Sequence, residues 1–128
     1  MIKRILIIDD DDDEKDFLMI AFRRIGLEVD LRHEKNPENA VDVLRRFSPH
    51  ILFLDYNMPK INGLACMNEI RKVQLPEPVS IILYSSHITE EVQKKASELG
   101  AIGFIEKAYN LNSLVRKINR VLRVKDPI

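Results

Sequence analysis

Apolar residues follow two alternating patterns along this chain: short continuous runs, and longer stretches in which they recur at helical spacing. The runs at residues 4–9, 29–33, 51–55, 80–85 and 102–105 are rich in β-branched residues and predict five strands. The stretch after each run places its apolar residues on one face of a helix. The pattern therefore predicts strands and helices in a (βα)₅ order.

Residues typical of helix ends lie where the two patterns meet. Thr89 precedes two glutamates, and Asn110 or Asn112 precedes the last apolar stripe, so these side chains predict helix starts. Gly26 and Gly100 follow stripes and suit the left-handed backbone of a helix end. The fourth predicted helix has a thin apolar stripe, which predicts a weakly held helix.

The first, third and fourth runs are almost continuously apolar, as is typical of strands that helices cover on both faces. Together with the alternating order, this predicts an α/β fold with a doubly wound parallel sheet. At 128 residues the chain fits one domain, which we expect to span residues 1–128.

Composition narrows the classes of function. The chain has 20 Lys and Arg and 20 Asp and Glu, and this balance argues against charge-driven binding to nucleic acid or to an anionic membrane. The basic residues of the last predicted helix are explained by a solvated face near its carboxyl end. Cys66 is the single cysteine, and we expect it to be a small packing residue and not a reactive thiol. Because no secretory leader or membrane-length apolar stretch is present, we expect a cytoplasmic protein.

Polar side chains stand at the carboxyl ends of three of the predicted strands. A run of five aspartates, 9–13, begins where the first strand ends, Asp55 ends the third strand, and Ser85 ends the fourth. The carboxyl ends of parallel strands share one edge of a sheet, so these side chains are expected to meet there. Neighbouring carboxylates repel one another unless a cation lies among them. Oxygen ligands in a shallow site predict Mg²⁺.

The aspartate run has other interpretations. An EF-hand calcium loop starting at Asp9 is excluded, because Glu14 stands where the loop needs Gly and Ile20 where it needs Glu. An acidic helix start that complements the helix dipole explains Asp12, Asp13 and Glu14.

Four segments stand in a fixed order along the chain, and the second is the most specific of them. They are ILIIDD at 5–10, LDYNMPKINGL at 54–64, IILYSSH at 81–87 and GAIGFIEK at 100–107. In these segments the chain resembles the receiver domain of bacterial two-component response regulators, over about residues 2–124. The resemblance implies a flavodoxin-like three-layer sandwich with strand order 2-1-3-4-5.

The resemblance also implies a role for each matching residue. Asp55 would be the phosphoacceptor, with Ser85 and Lys107 as the catalytic hydroxyl and lysine. The donor would be a phosphohistidine on a sensor histidine kinase or a histidine phosphotransfer protein, and small donors such as acetyl phosphate fit the same chemistry. The implied Mg²⁺ ligands are the carboxylates of Asp9, Asp10 and Asp55 and the backbone carbonyl of Asn57.

Residues around this set have open interpretations. The resemblance implies that Ser85 and Phe104 form a switch, in which the aromatic ring swings inward as the hydroxyl moves, although Phe104 is also explained as a core or edge aromatic. His87 is a candidate modulator of phosphoryl loss or a surface histidine. Ala108 follows Lys107 where the family commonly has proline, so the isomer of this peptide bond stays open.

The leading hypothesis is a phosphorylation-driven switch. Phosphorylation of Asp55 would pull Ser85 inward and reposition the fourth helix, fifth strand and fifth helix for an unidentified downstream protein or for onward phosphotransfer. Such a protein is a phosphoacceptor, not an enzyme, and with no output domain after residue 128 we expect a stand-alone receiver that docks another protein or passes phosphoryl groups along a relay. Two alternatives stay open: a phosphohydrolase of the haloacid-dehalogenase kind using Asp9 and Asp11, and a degenerate receiver serving as a constitutive interaction module.

Overall fold

Strands and helices alternate along the chain, as the apolar pattern predicts. The computed structural model describes residues 2–107 and 110–125, with the side chains of the last helix as far as Leu122. The strands are β1 (Lys3–Ile8), β2 (Val29–Glu34), β3 (Ile51–Leu54), β4 (Ser80–Ser85) and β5 (Ala101–Glu106). The helices are α1 (Asp13–Ile25), α2 (Ala40–Phe47), α3 (Gly63–Arg71), α4 (Glu90–Glu98) and α5 (Leu111–Lys125), and a 3₁₀ turn at Pro37–Asn39 precedes α2.

The sheet has the predicted topology. Within the described residues, the strands pair in parallel in the order β2-β1-β3-β4-β5. This is a doubly wound, flavodoxin-like arrangement, and it confirms the predicted fold class. The strand order reverses between β1 and β3, and a ligand crevice is expected at the carboxyl ends of these neighbours.

Helices cover both faces of the sheet. One apolar cluster joins the sheet to α2, α3 and α4, and its fully buried members include Leu6, Leu52 and Met67. The other joins the sheet to α1 and α5 around Phe22, whose ring packs edge-on against Phe53. Burial on both faces explains why β1, β3 and β4 are continuously apolar instead of alternating.

Several predicted helix ends are confirmed. The Thr89 hydroxyl caps the start of α4, because it accepts a hydrogen bond from the Val92 N–H at 3.2 Å. Before α5, Asn110 is the capping residue, because its side chain accepts the Ser113 N–H at 3.1 Å. Gly26 and Gly100 have φ values of 84° and 96°, in the left-handed region that favours glycine.

The α4 helix does have a thin buried face. Its buried residues are Val92 and Ala96. Its carboxyl end is held by a neighbouring helix, since the Arg71 guanidinium of α3 donates to the Leu99 carbonyl at 2.7 Å. None of the described helices is long and apolar enough to cross a membrane.

The predicted strands β1 and β3 are one residue too long at their carboxyl ends. Asp9 and Asp55 were predicted as their last residues, but both follow the strand. The amide groups of both still bond to the neighbouring strands, Asp9 N–H to the Glu34 carbonyl at 3.2 Å and Asp55 N–H to the Ile8 carbonyl at 3.0 Å. The side chains instead accept hydrogen bonds from the loops that follow, which ends the strand pattern.

Candidate functional site

The register of the sheet brings the predicted site residues to one edge. Ile8 pairs with Leu54, and Leu54 pairs with Leu83, so Asp9 and Asp55 leave their strands at the same level. Ser85 lies at the carboxyl end of the next strand. The convergence that topology predicts is therefore present in the structure.

Three aspartates form a cluster at this edge. Asp9, Asp10 and Asp55 each offer a carboxylate oxygen, and these atoms lie within 4.8 Å of one another. Asp9 and Asp55 are buried, whereas Asp10 is exposed. Three carboxylates at this separation repel one another unless a cation is bound among them.

The Asp9 carboxylate is fully buried but incompletely satisfied. Its Oδ1 accepts the Asp11 N–H at 2.9 Å. Its Oδ2 lies 2.8 Å from the Lys107 amine as an ion pair, and apart from this contact it accepts no hydrogen bond from the described residues. Burial raises the pKa of Asp9 from 3.8 to about 6, outweighing the opposing contacts with Lys107 and the Asp11 amide.

The two oxygens of the Asp55 carboxylate have different partners. Its Oδ1 accepts the Ser85 hydroxyl at 2.7 Å and the Asn57 N–H at 3.2 Å. Its Oδ2 faces the Lys107 amine at 3.5 Å. The two donors fix the orientation of the carboxylate, and the lysine places positive charge beside the second oxygen.

Lys107 reaches the cluster from the end of β5. Its backbone N–H donates to the Ser85 carbonyl at 2.9 Å, which aligns the chain after β5 with the end of β4. Burial by itself would lower the pKa of Lys107, but the contacts with Asp9 and the charges of Asp55 and Glu14 outweigh it and raise this pKa above 10.5. Ala108 lies outside the described residues, so the isomer of the peptide bond between Lys107 and Ala108 stays open.

Sequence reasoning missed two residues that contact Lys107. The Tyr84 hydroxyl donates to Glu14 Oε1 at 2.7 Å, and Glu14 Oε2 lies 3.9 Å from the Lys107 amine. The amine also lies 5.6 Å from the centre of the Tyr84 ring. A signal was present, because a tyrosine within an otherwise apolar buried strand needs a partner for its hydroxyl. Glu14 thus has a role beyond the acidic helix start that explains Asp12 and Asp13.

Sequence reasoning also missed His33, on β2. Its ring Nε2 lies 2.7 Å from the Asp9 carbonyl and donates to it, because a carbonyl can only accept. The contact fixes the backbone of the residue that begins the acidic loop.

The loop after Asp55 packs directly against the start of α3. The Asn62 side chain accepts the Ala65 N–H at 2.9 Å, and the Gly63 N–H donates to the Tyr56 carbonyl at 2.9 Å. A Cβ on Gly63 would lie 2.7 Å from the Asp55 carbonyl oxygen. Only glycine allows this approach, which explains the Asn-Gly pair after the DYNMP segment.

Two predicted residues lie away from the acidic cluster. Phe104 is partly buried on β5 and packs against the apolar cluster beneath α3 and α4. The His87 side chain is 78% exposed, and its Nδ1 lies 3.9 Å from Glu106 Oε2. His87 borders a groove of about 260 Å³ between the loop after β3 and the start of α4. The switch role of Phe104 and the modulator role of His87 stay predictions.

The residues present fit a divalent cation. A buried carboxylate oxygen without a hydrogen bond, close to two further carboxylates, supplies hard anionic ligands. Asp10 is exposed at the mouth, which leaves room for the waters that Mg²⁺ retains. The predicted ligand role of the Asn57 carbonyl stays a prediction.

Comparison with known proteins identifies the family. A family model described as the response regulator receiver domain matches residues 5–119. The chain is 29% identical over 126 residues to a protein-glutamate methylesterase/protein-glutamine glutaminase of Oleidesulfovibrio alaskensis, covering 98% of the chain and 34% of that protein. It is 28% identical over 124 residues to the regulatory protein AtoC of Escherichia coli, covering 97% of the chain and 26% of AtoC. The chain thus spans about a third or less of these relatives.

The fold comparison agrees with the sequence comparison. The chemotaxis protein CheY4 of Vibrio cholerae superimposes with a TM-score of 0.77 at 20% identity, covering 95% of this chain and 100% of that chain. Family membership favours the receiver interpretation of the aspartates over the phosphohydrolase one. The chain belongs to the response regulator receiver domain family of two-component signalling.

Proposed function

We propose that this protein is a phosphoryl-accepting switch in a two-component phosphorelay. Asp55 accepts a phosphoryl group from a phosphohistidine on a sensor histidine kinase or a histidine phosphotransfer protein. Asp9, Asp10, Asp55 and the Asn57 carbonyl would hold the Mg²⁺ that the reaction needs. The observation that carries the proposal is the Asp55 carboxylate, which is oriented by Ser85 and Asn57 on one oxygen and faces Lys107 with the other.

The geometry supplies what phosphoryl transfer needs. A carboxylate oxygen of Asp55 forms a bond to phosphorus while the bond from phosphorus to the donor imidazole breaks, and the imidazole nitrogen keeps the electron pair. Catalysis of this step rests on positioning and charge neutralisation. Lys107, 3.5 Å from Asp55 Oδ2, neutralises charge on the incoming phosphoryl oxygens. Bound Mg²⁺ would supply further positive charge there.

The same contacts support a switch. The Ser85 hydroxyl already contacts Asp55 at 2.7 Å, so phosphorylation redirects an existing hydrogen bond to a phosphoryl oxygen instead of pulling a distant hydroxyl inward. Ser85 is the last residue of β4, and Thr89, four residues later, caps the start of α4. Because α4 buries few residues, a shift of the loop between them moves this helix at low cost. The surface of α4, β5 and α5 is then the signal that a downstream protein reads or that accompanies onward phosphotransfer.

The proposal is tested with a phosphoryl mimic. We expect beryllofluoride with Mg²⁺ to shift backbone amide resonances around Asp55 and along α4 and β5 in heteronuclear NMR spectra. Omission of Mg²⁺ or the substitution Asp55→Asn should abolish the shifts. Asp42→Asn, which removes an exposed carboxylate from α2, is the matched control and should leave them intact. Shifts that persist in Asp55→Asn, or a wild-type spectrum that beryllofluoride leaves unchanged, would contradict the proposal.

A further inference from the structure

A polar contact between α1 and β4 lies beside the reactive lysine. Glu14, in the first turn of α1, accepts the Tyr84 hydroxyl on Oε1 at 2.7 Å. Its other oxygen, Oε2, lies 3.9 Å from the Lys107 amine. Both charged side chains are largely buried, with relative exposures of 16% for Glu14 and 14% for Lys107. The pair is therefore poorly screened by solvent.

Three carboxylates surround the Lys107 amine, and two of them belong to the candidate metal site. The amine lies 2.8 Å from Asp9, 3.5 Å from Asp55 and 3.9 Å from Glu14. A dication held by Asp9 and Asp55 competes with the ammonium for the same negative charge and repels it. Glu14 is not a member of the acidic cluster of Asp9, Asp10 and Asp55. It therefore keeps its charge available to Lys107 when the other two carboxylates hold a metal ion.

We infer that Glu14 is a positioning residue that retains the Lys107 ammonium beside Asp55 once Mg²⁺ is bound. Tyr84 serves this role indirectly, because its hydroxyl fixes the Glu14 carboxylate and its ring face lies toward the ammonium. Without Glu14, the ammonium is either left on Asp9, where it opposes metal binding, or released toward solvent. The inference rests on the proposed function, since it concerns the lysine of that reaction.

The direct test observes the lysine itself. Ammonium groups held in ion pairs can be followed by proton–nitrogen NMR of lysine side chains, and the Lys107 signal is assigned by its loss in Lys107→Arg. In the wild-type protein we expect this signal both with EDTA and with saturating Mg²⁺. In Glu14→Gln, which can still accept the Tyr84 hydroxyl, the signal should be present with EDTA and lost with Mg²⁺. A merely structural role of Glu14 would not produce this dependence on the metal.

A second readout is the affinity for Mg²⁺ alone, measured by calorimetry. We expect Glu14→Gln to weaken Mg²⁺ binding about tenfold, because the displaced ammonium then lacks its alternative partner. Asp16→Asn is the matched control, since it removes the same charge from an exposed position two residues later on α1. It should change the affinity less than about twofold.

The outcomes separate this inference from the proposed function. Two results overturn the inference alone, provided that wild type still responds to beryllofluoride. One is a Lys107 signal that survives saturating Mg²⁺ in Glu14→Gln. The other is a Mg²⁺ affinity of Glu14→Gln equal to that of Asp16→Asn. A wild-type protein that binds no Mg²⁺ overturns both. Loss of the Lys107 signal only in Glu14→Gln, and only with Mg²⁺, supports the inference.

Discussion

Replacing Asp9 by asparagine is expected to stabilise the metal-free protein above about pH 6. Asp9 is fully buried, and burial raises its pKa from 3.8 to about 6 in spite of the nearby Lys107 amine. Asparagine keeps an oxygen that can accept the Asp11 N–H, which the native carboxylate accepts at 2.9 Å. The substitution removes both the cost of a buried charge and the 2.8 Å ion pair with Lys107, and the raised pKa of Asp9 indicates that the cost of burial is the larger of the two.

The size of the effect follows from the pKa difference. A group whose folded pKa lies above its unfolded pKa binds more protons in the folded state between these values, so stability falls as pH rises through this window. For Asp9 the window extends from 3.8 to about 6. A difference of roughly two pKa units corresponds to about 3 kcal/mol. The variant should gain little near pH 4 and up to about 3 kcal/mol near pH 8.

The measurement is urea unfolding followed by circular dichroism, with EDTA, at a series of pH values. The quantity of interest is the difference in unfolding free energy between wild type and Asp9→Asn, because titrating groups far from Asp9 cancel in it. Asp10→Asn is the matched control, since it removes an exposed carboxylate from the same cluster. It should gain less than half as much. Adding Mg²⁺ at about one hundred times its dissociation constant should stabilise wild type by about 2.7 kcal/mol and Asp9→Asn much less.

Two results would refute this reasoning. One is equal stability of wild type and Asp9→Asn near pH 8 with EDTA. The other is a difference that does not change between about pH 4 and about pH 8, since a buried titrating carboxylate requires such a change.

Three further substitutions or labels probe the site and its support. Ser85→Ala should lower the unfolding free energy by about 1 to 2 kcal/mol in urea titrations, because Asp55 loses a buried hydrogen-bond donor. The control Ser86→Ala, at an exposed position, should change it by less than about 0.5 kcal/mol. Equal values for the two variants would contradict the contact between Ser85 and Asp55. Gly63→Ala should cost about 1 to 3 kcal/mol in the same assay, since its Cβ would meet the Asp55 carbonyl, and unchanged stability would show that the loop can retreat. Cys66 is buried with a pKa raised to about 11, so Ellman's reagent should label it slowly in the native protein and rapidly in urea; rapid native labelling would contradict its burial.

Most of the fold could be predicted because it depends on patterns that sequence carries directly. Continuous apolar runs mark strands buried on both faces, and helical stripes mark the covering helices. The capping residue Thr89 and the left-handed Gly26 and Gly100 follow from local chemistry, whereas the choice of Asn110 over Asn112 before α5 needed the structure. The ends of β1 and β3 could not be predicted exactly. Each strand ends where an aspartate side chain accepts a hydrogen bond from its own loop, and this bond does not change the spacing of apolar residues.

The candidate site, like the fold, could be predicted from the sequence only in part. Strand ends point to Asp9 and Asp55, because they fix where those side chains emerge, and the family resemblance points to Lys107. Neither signal revealed the contact between Glu14 and Tyr84, because it spans 70 positions of sequence and depends on how α1 packs against the sheet. The direct contact of Ser85 with Asp55 likewise depends on the register between β3 and β4, which the sequence pattern does not specify.

The most direct test of the central claim is intact-mass spectrometry after incubation with acetyl phosphate and Mg²⁺. The account predicts addition of one phosphoryl group to the wild-type protein, lost on omission of Mg²⁺ and absent in Asp55→Asn. Asp42→Asn should be phosphorylated as wild type is. A wild-type protein that gains no phosphoryl group, or an Asp55→Asn protein that gains one as readily, would contradict the assignment of Asp55 as phosphoacceptor.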